Sequence, residues 1–154
     1  MILALLLALA ASAQSLPSAP ATYLPQYLVT AGGGAVVPGH GAGFAYWSVS
    51  RYLGQQTYAT AISEYTMTKG VVLTCPMAGI TKVVYQLGPV SFGLTGAGGA
   101  CSGTNAGASS AASGQAFTAF HIKGDWSIIA TARKTFTASG TDAFKLTLGI
   151  GWGK

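Results

Sequence analysis

Charge is what this sequence has least of. Its 154 residues include 8 Lys and Arg, 3 Asp and Glu and 2 His, so that 7% are charged, where a soluble globular domain carries about 25%. A water-facing surface needs interspersed charges to stay soluble and free of apolar patches, yet half of these residues are apolar and the mean hydropathy is +0.46. The same scarcity excludes charge-driven disorder and coiled coils. Long hydrophobic runs are missing as well. The longest, Met1 to Ala13, falls short of the roughly 20 residues that a spanning helix needs.

Chemistry-bearing residues are equally sparse. His40 lies in Pro38-Gly39-His40-Gly41, a surface loop pattern, and His121 has no acid beside it. Cys75 and Cys101 have no paired Cys or His around them, so metal-ligand spacing is absent. The stretch Gly93-Leu-Thr-Gly-Ala-Gly-Gly99 lacks the Lys-Ser/Thr of a phosphate loop, and no Ser sits in a Gly-x-Ser-x-Gly elbow. No catalytic residue, metal site or cofactor is expected. A hydrolase assembled from separated strands would leave no such local motif. The basic residues are dispersed, with only Arg133-Lys134 adjacent, so a nucleic-acid stripe is not expected either.

What is present is a leader-like start and many glycines. Residues 1–13 are Leu/Ala-rich and end in Ala11-Ser12-Ala13, a small-residue cleavage pattern with Gln14 as the new N-terminus. No Cys follows, so a lipid anchor has no attachment point. An exported, hydrophobic chain with 22 glycines and no spanning helix must place its apolar surface on strands.

Periodicity supports this. Phe144, Leu146, Leu148, Ile150 and Trp152 alternate with Lys145, Thr147, Gly149, Gly151 and Gly153, the period-two signature of a strand. Trp126 to Arg133 and Ala116 to Lys123 alternate in the same way, with Gly124-Asp125 as a tight turn between them. Further strands are expected at Ile80 to Gly88 and Val90 to Gly98 around Gly88-Pro89, at Phe44 to Leu53 and Thr57 to Met67 around Gly54-Gln55-Gln56, and at Gln26 to Val36. The total is eight. Short turns at Gly54-Gln55-Gln56, Gly88-Pro89 and Gly124-Asp125 mark one end. Longer loops are expected at the other, over Val37 to Gly43, Thr68 to Gly79, Gly99 to Gly114 and Lys134 to Asp142.

With strands, turns and leader in this arrangement, the chain resembles the small eight-stranded outer-membrane barrels of diderm bacteria, the OmpX-like or porin-like group. The resemblance covers about Tyr23 to Trp152, and its most specific part is the final strand, Phe144 to Trp152. It implies an all-β, eight-stranded antiparallel up-and-down transmembrane barrel: residues 1–13 as signal peptide, 14–22 as a periplasmic segment and 23–154 as the barrel. It also implies a bacterial outer-membrane location, a monomer, and outer-membrane lipids and assembly machinery as partners, the last strand being what that machinery reads. Many members end in an aromatic residue, whereas this chain ends Trp152-Gly153-Lys154.

Strand phase then sorts the polar residues. If Trp126, Ile128, Leu146, Leu148 and Ile150 face lipid, Arg133 and Lys145 point into the lumen, and His121, Lys123, Lys82 and Gln86 take the same phase. Glu64 is the single acid within an expected strand, so the lumen reads as basic. An eight-stranded interior is just wide enough for side chains, which gives either a plugged, hydrogen-bonded core or a narrow anion-leaky pore. The second strand is ambiguous, because the face that carries Arg51 also carries Trp47 and Val49. Tyr23, Tyr27, Phe44, Tyr52, Tyr65, Trp126 and Trp152 suit interfacial girdles, and Lys69, Lys134 and Lys145 could meet anionic head groups.

The two cysteines are expected to form a disulfide, since export favours bridging and Cys75 and Cys101 fall in two outer loops at the same end of the barrel. A rival topology makes Val71 to Cys75 a separate full strand and sends Cys75 to the opposite end. Two functional classes follow. One is an outer-membrane barrel with a structural, adhesive or weakly anion-leaky role and no catalysis. The other is a secreted soluble β-barrel or sandwich that binds a ligand or serves as a surface-assembly subunit.

Overall fold

The computed structural model describes residues 24–37, 42–68, 70–104, 106–122, 124–138 and 143–154. Eight strands succeed one another: β1 (Tyr27–Val37), β2 (Gly43–Gly54), β3 (Thr57–Thr68), β4 (Val71–Leu87), β5 (Val90–Gly103), β6 (Ala106–His121), β7 (Trp126–Thr137) and β8 (Ala143–Gly153). Each pairs antiparallel with the next, and β8 returns to pair with β1 from Leu28↔Gly153 to Val37↔Phe144, so the sheet closes into a barrel. Closure leaves no unpaired seam between first and last strand, which an open sheet of this apolarity would expose. The expected signal peptide, the 14–22 segment and Lys123 lie outside the described residues.

The alternation read from the sequence becomes inside and outside. On β7, Ser127, Ile129, Thr131, Arg133 and Thr135 are buried, while Trp126, Ile128, Ala130, Lys134 and Phe136 are exposed. On β8, Lys145 and Thr147 are buried, and Leu146, Leu148, Ile150 and Trp152 are exposed. The ambiguous β2 points Phe44, Tyr46, Ser48 and Ser50 inward and turns Trp47, Val49 and Arg51 out. Phe44 and Tyr52 therefore do not join an outer girdle: Phe44 is a lumen residue, and Tyr52 packs against Tyr58 with ring centroids 5.2 Å apart. Large inward rings need small neighbours. A Cβ on Gly93 would collide with the Phe117 ring.

Two segments expected as long loops are largely strand instead, and the loop expected from Lys134 is strand as far as Thr137. β3 and β4 pair as far as Thr68↔Val71, and β5 and β6 as far as Gly103↔Ala106, so 71–79, 99–103 and 106–114 contribute sheet rather than loop. Their Gly, Ala and Ser residues carry little strand preference alone, but cross-strand neighbours fix them, on both sides for β4 and β5 and on the β5 side for the start of β6. The asymmetry in the sequence is thus one of strand length: β4, β5 and β6 have 17, 14 and 16 residues, the other strands 11 or 12. A 17-residue strand tilted by about 40° rises roughly 44 Å, against an apolar band of about 25 Å. Pairing of β6 with β7 stops at Ala111↔Thr137, so the ends of β4 to β6 stand as a ledge above the rest.

A bulge decides another expectation. Between Val83 and Tyr85 the β4–β5 register shifts by one residue, which reverses the phase of the strand. Thr81 and Val83 point inward before it and Gln86 after it. Lys82 is therefore outside the barrel, not in the lumen, although Gln86 is within. Its Nζ donates to the Gln55 carbonyl and to Thr57 Oγ1, the latter at 3.2 Å. There it caps the β2–β3 turn, whose Gln55 and Gln56 both adopt positive φ (49° and 61°), the backbone of a type I′ hairpin.

Candidate functional site: the lumen plug and its cavity

Three side chains that are distant in sequence meet at the centre of the barrel. Glu64 on β3, Arg133 on β7 and Lys145 on β8 are 0%, 1% and 2% exposed. Arg133 Nη1 donates to Glu64 Oε1 at 2.5 Å and Lys145 Nζ to Glu64 Oε2 at 2.7 Å. Thr135 Oγ1 donates to Glu64 Oε2 at 3.1 Å and accepts from Lys145 Nζ at 3.1 Å. On its other side Arg133 donates from Nε to Gln115 Oε1 at 2.8 Å, and from Nη2 to the same oxygen. The rings of β2 complete the packing. Arg133 Cζ lies 4.8 Å from the Tyr46 centroid, and Lys145 Nζ lies 4.4 Å from that of Phe44. Removing such ions from water costs several kcal/mol each. This geometry offsets that cost through charge-assisted bonds to both carboxylate oxygens.

Toward the end where the chain termini lie, the lumen is lined by hydroxyls. Ser50, Thr60, Thr81 and Thr95 form a continuous chain across β2, β3, β4 and β5, with Oγ separations of 2.9, 2.8 and 2.8 Å. Thr30 pairs with Ser48 at 2.6 Å, and Thr131 with Thr147. His121 bridges Ser91 (Nε2, 2.9 Å) and Ser127 (Nδ1, 2.7 Å) at the rim. These groups enclose a cavity of about 50 Å³, bounded by Tyr46 and Arg133 at one end and by Leu28, His121 and Ser127 at the other.

Of the residues expected in the lumen, Arg133, Lys145 and Glu64 converge in one cluster. His121 is half-buried at the rim. Gln86 is buried but apart from the cluster, and Lys82 is outside. The interior is accordingly less basic than expected: among the described residues the central cluster holds two cations and one carboxylate. Sequence reasoning missed Tyr46, Phe44, Gln115 and Thr135. The signal for Tyr46 and Phe44 was the inward phase of β2, which Arg51 obscured; a low-complexity context hid the start of β6 and Gln115, and the loop expected from Lys134 hid Thr135 on β7.

Cys75 and Cys101 form a disulfide. They do not lie in loops but stand opposite each other on β4 and β5, facing inward beside Met77 and Ala111 at the base of the ledge. The rival topology fails because Val71 to Leu87 is one unbroken strand. Among the described residues no three His, Cys, Asp or Glu side chains converge as metal ligands would.

No protein-family model matches this sequence, and no curated protein sequence matches it. Solved structures do. The chain is similar to Neisserial surface protein A, with a TM-score of 0.67 at 10% identity over 83% of this chain and 96% of that one. It is also similar to a de novo designed transmembrane β-barrel, with a TM-score of 0.60 at 9% identity over 86% and 98% of the two chains. At these identities the likeness is one of fold, and this protein has the fold of the small eight-stranded transmembrane β-barrels.

Proposed function

We propose that this chain is an integral outer-membrane β-barrel with a closed lumen, whose role is structural or adhesive rather than transport or catalysis. The observation that carries the reading is inverted polarity. Among the described residues, 24 large apolar side chains are exposed while 17 polar or charged residues are buried. Water-soluble barrels have the opposite arrangement, and an exterior of this kind matches hydrocarbon. Outward-facing Arg51 and Lys82 sit beside the β2–β3 turn, and outward Lys134 lies near the opposite end of β7, which leaves the middle of the wall to lipid. The plug favours a closed barrel over an anion-leaky one, and the ledge offers a surface beyond the bilayer for adhesive contact. Outer-membrane lipids, and assembly machinery that reads β8, are the partners this reading entails.

Membrane fractionation with heat-modifiable gel migration tests it. The folded protein is expected in the outer-membrane fraction, migrating faster unheated than boiled. Leu148, 66% exposed on β8, provides the specific check. Leu148→Arg puts a charge into hydrocarbon at about 2 to 4 kcal/mol and should lower the folded membrane yield, whereas Leu148→Ala should not. A soluble protein, or equal yields from both variants, would overturn the proposal.

A further inference from the structure

The cavity beside the plug combines a buried hydroxyl that has no partner among the described residues with an excess of positive charge. Tyr46 is 4% exposed and lines the cavity, and among the described residues its Oη has no hydrogen-bond partner within bonding distance, with Thr30 and Thr147 as its polar neighbours. The Thr30–Ser48 pair uses one hydroxyl proton and leaves one over. The chain from Ser50 to Thr95 makes three bonds from four hydroxyls and also leaves one.

The charges favour an anion as the partner of the Tyr46 hydroxyl. Among the described residues Arg133 is the single charged side chain lining the cavity and no carboxylate faces it; Glu64, behind Arg133, already serves two cations. A buried site with converging O–H donors, a guanidinium and an uncompensated positive charge is complementary to an anion. Size narrows the class. A cavity of about 50 Å³, with room for a few water-sized spheres, suits a small spherical anion.

We propose that the lumen binds one monovalent halide-sized anion, held by the Tyr46 hydroxyl and the spare proton of the Thr30–Ser48 pair within the field of Arg133. It enters past half-buried His121 and stops at the Glu64 cluster, so the site is a dead end rather than a conduction path.

The thermal transition of the folded barrel in zwitterionic detergent, read by gel migration, tests this at constant ionic strength in chloride, bromide or gluconate. Chloride and bromide should raise the transition temperature to a plateau, and gluconate, too large to enter, should not. Tyr46→Phe keeps the ring against Gly32 and Arg133 and removes the hydroxyl, and should weaken halide binding about tenfold or more. Should that variant not fold, chloride-35 line broadening by the parent protein and an anomalous bromide peak beside Tyr46 Oη carry the test. Identical transitions in chloride and gluconate, an unchanged halide response in folded Tyr46→Phe, or a cavity holding water alone would overturn it.

Discussion

Glu64 shows how much depends on one side chain in this barrel. Its two carboxylate oxygens take Arg133, Lys145 and Thr135, so its loss leaves two cations with no counter-charge at zero to 2% exposure. Glu64→Gln should therefore cost about 3 to 5 kcal/mol, the usual penalty for orphaning a buried ion pair. Lys145→Met should cost far less, because Glu64 and Arg133 remain a neutral pair and the methionine chain refills the lysine's apolar path beside Phe44. Denaturant unfolding of the folded protein in detergent measures both, and equal losses would contradict the charge count. Lys82 teaches the complementary lesson: strict alternation gives Lys82 and Gln86 one phase, but the bulge between them separates the two, leaving Lys82 outward and turning Gln86 inward.

At the scale of the element, the long strands β4 and β5 depend on a covalent tie. Cys75 and Cys101, 26 residues apart, join them near the base of the ledge, beyond the polar plug. On the chain-entropy account a closed loop of that length contributes roughly 3 to 4 kcal/mol. Replacing both cysteines with serine should lower global stability by about that amount. It should also raise amide exchange first in residues 73–77 and 99–103, while β7 and β8 keep their protection. Uniform loss of protection would instead make the bridge a determinant of the whole barrel. Alkylation of unreduced protein followed by mass spectrometry is expected to find no free thiol.

The whole molecule is a closed tube whose middle is filled by ions and rings. With Glu64, Arg133, Lys145, Phe44 and Tyr46 packed across it, planar-bilayer recordings should show no discrete channel steps in the parent. Arg133→Ala combined with Lys145→Ala removes both cations and much of the packed volume, and should produce small conductance events if the variant inserts. Steady conductance in the parent would contradict a sealed lumen.

Local pattern in the sequence determined the class of structure. Period-two alternation depends only on adjacent residues, so it gave strand identity, strand count, the short turns and the facing of β7 and β8 without any knowledge of partners. It reached Arg133 and Lys145 for the same reason. Tertiary structure alone decided what pairing decides. Residues 71–79, 99–103 and 106–114 became sheet because neighbouring strands held them, and a register shift across β4 and β5 set Gln86 inward while Lys82 stayed outward. Glu64 meets Arg133 and Lys145 across 69 and 81 residues of chain because the barrel closes. Propensity and periodicity act between near neighbours in sequence, whereas closure, register and the contents of the lumen are set by contacts that exist only once the strands have met.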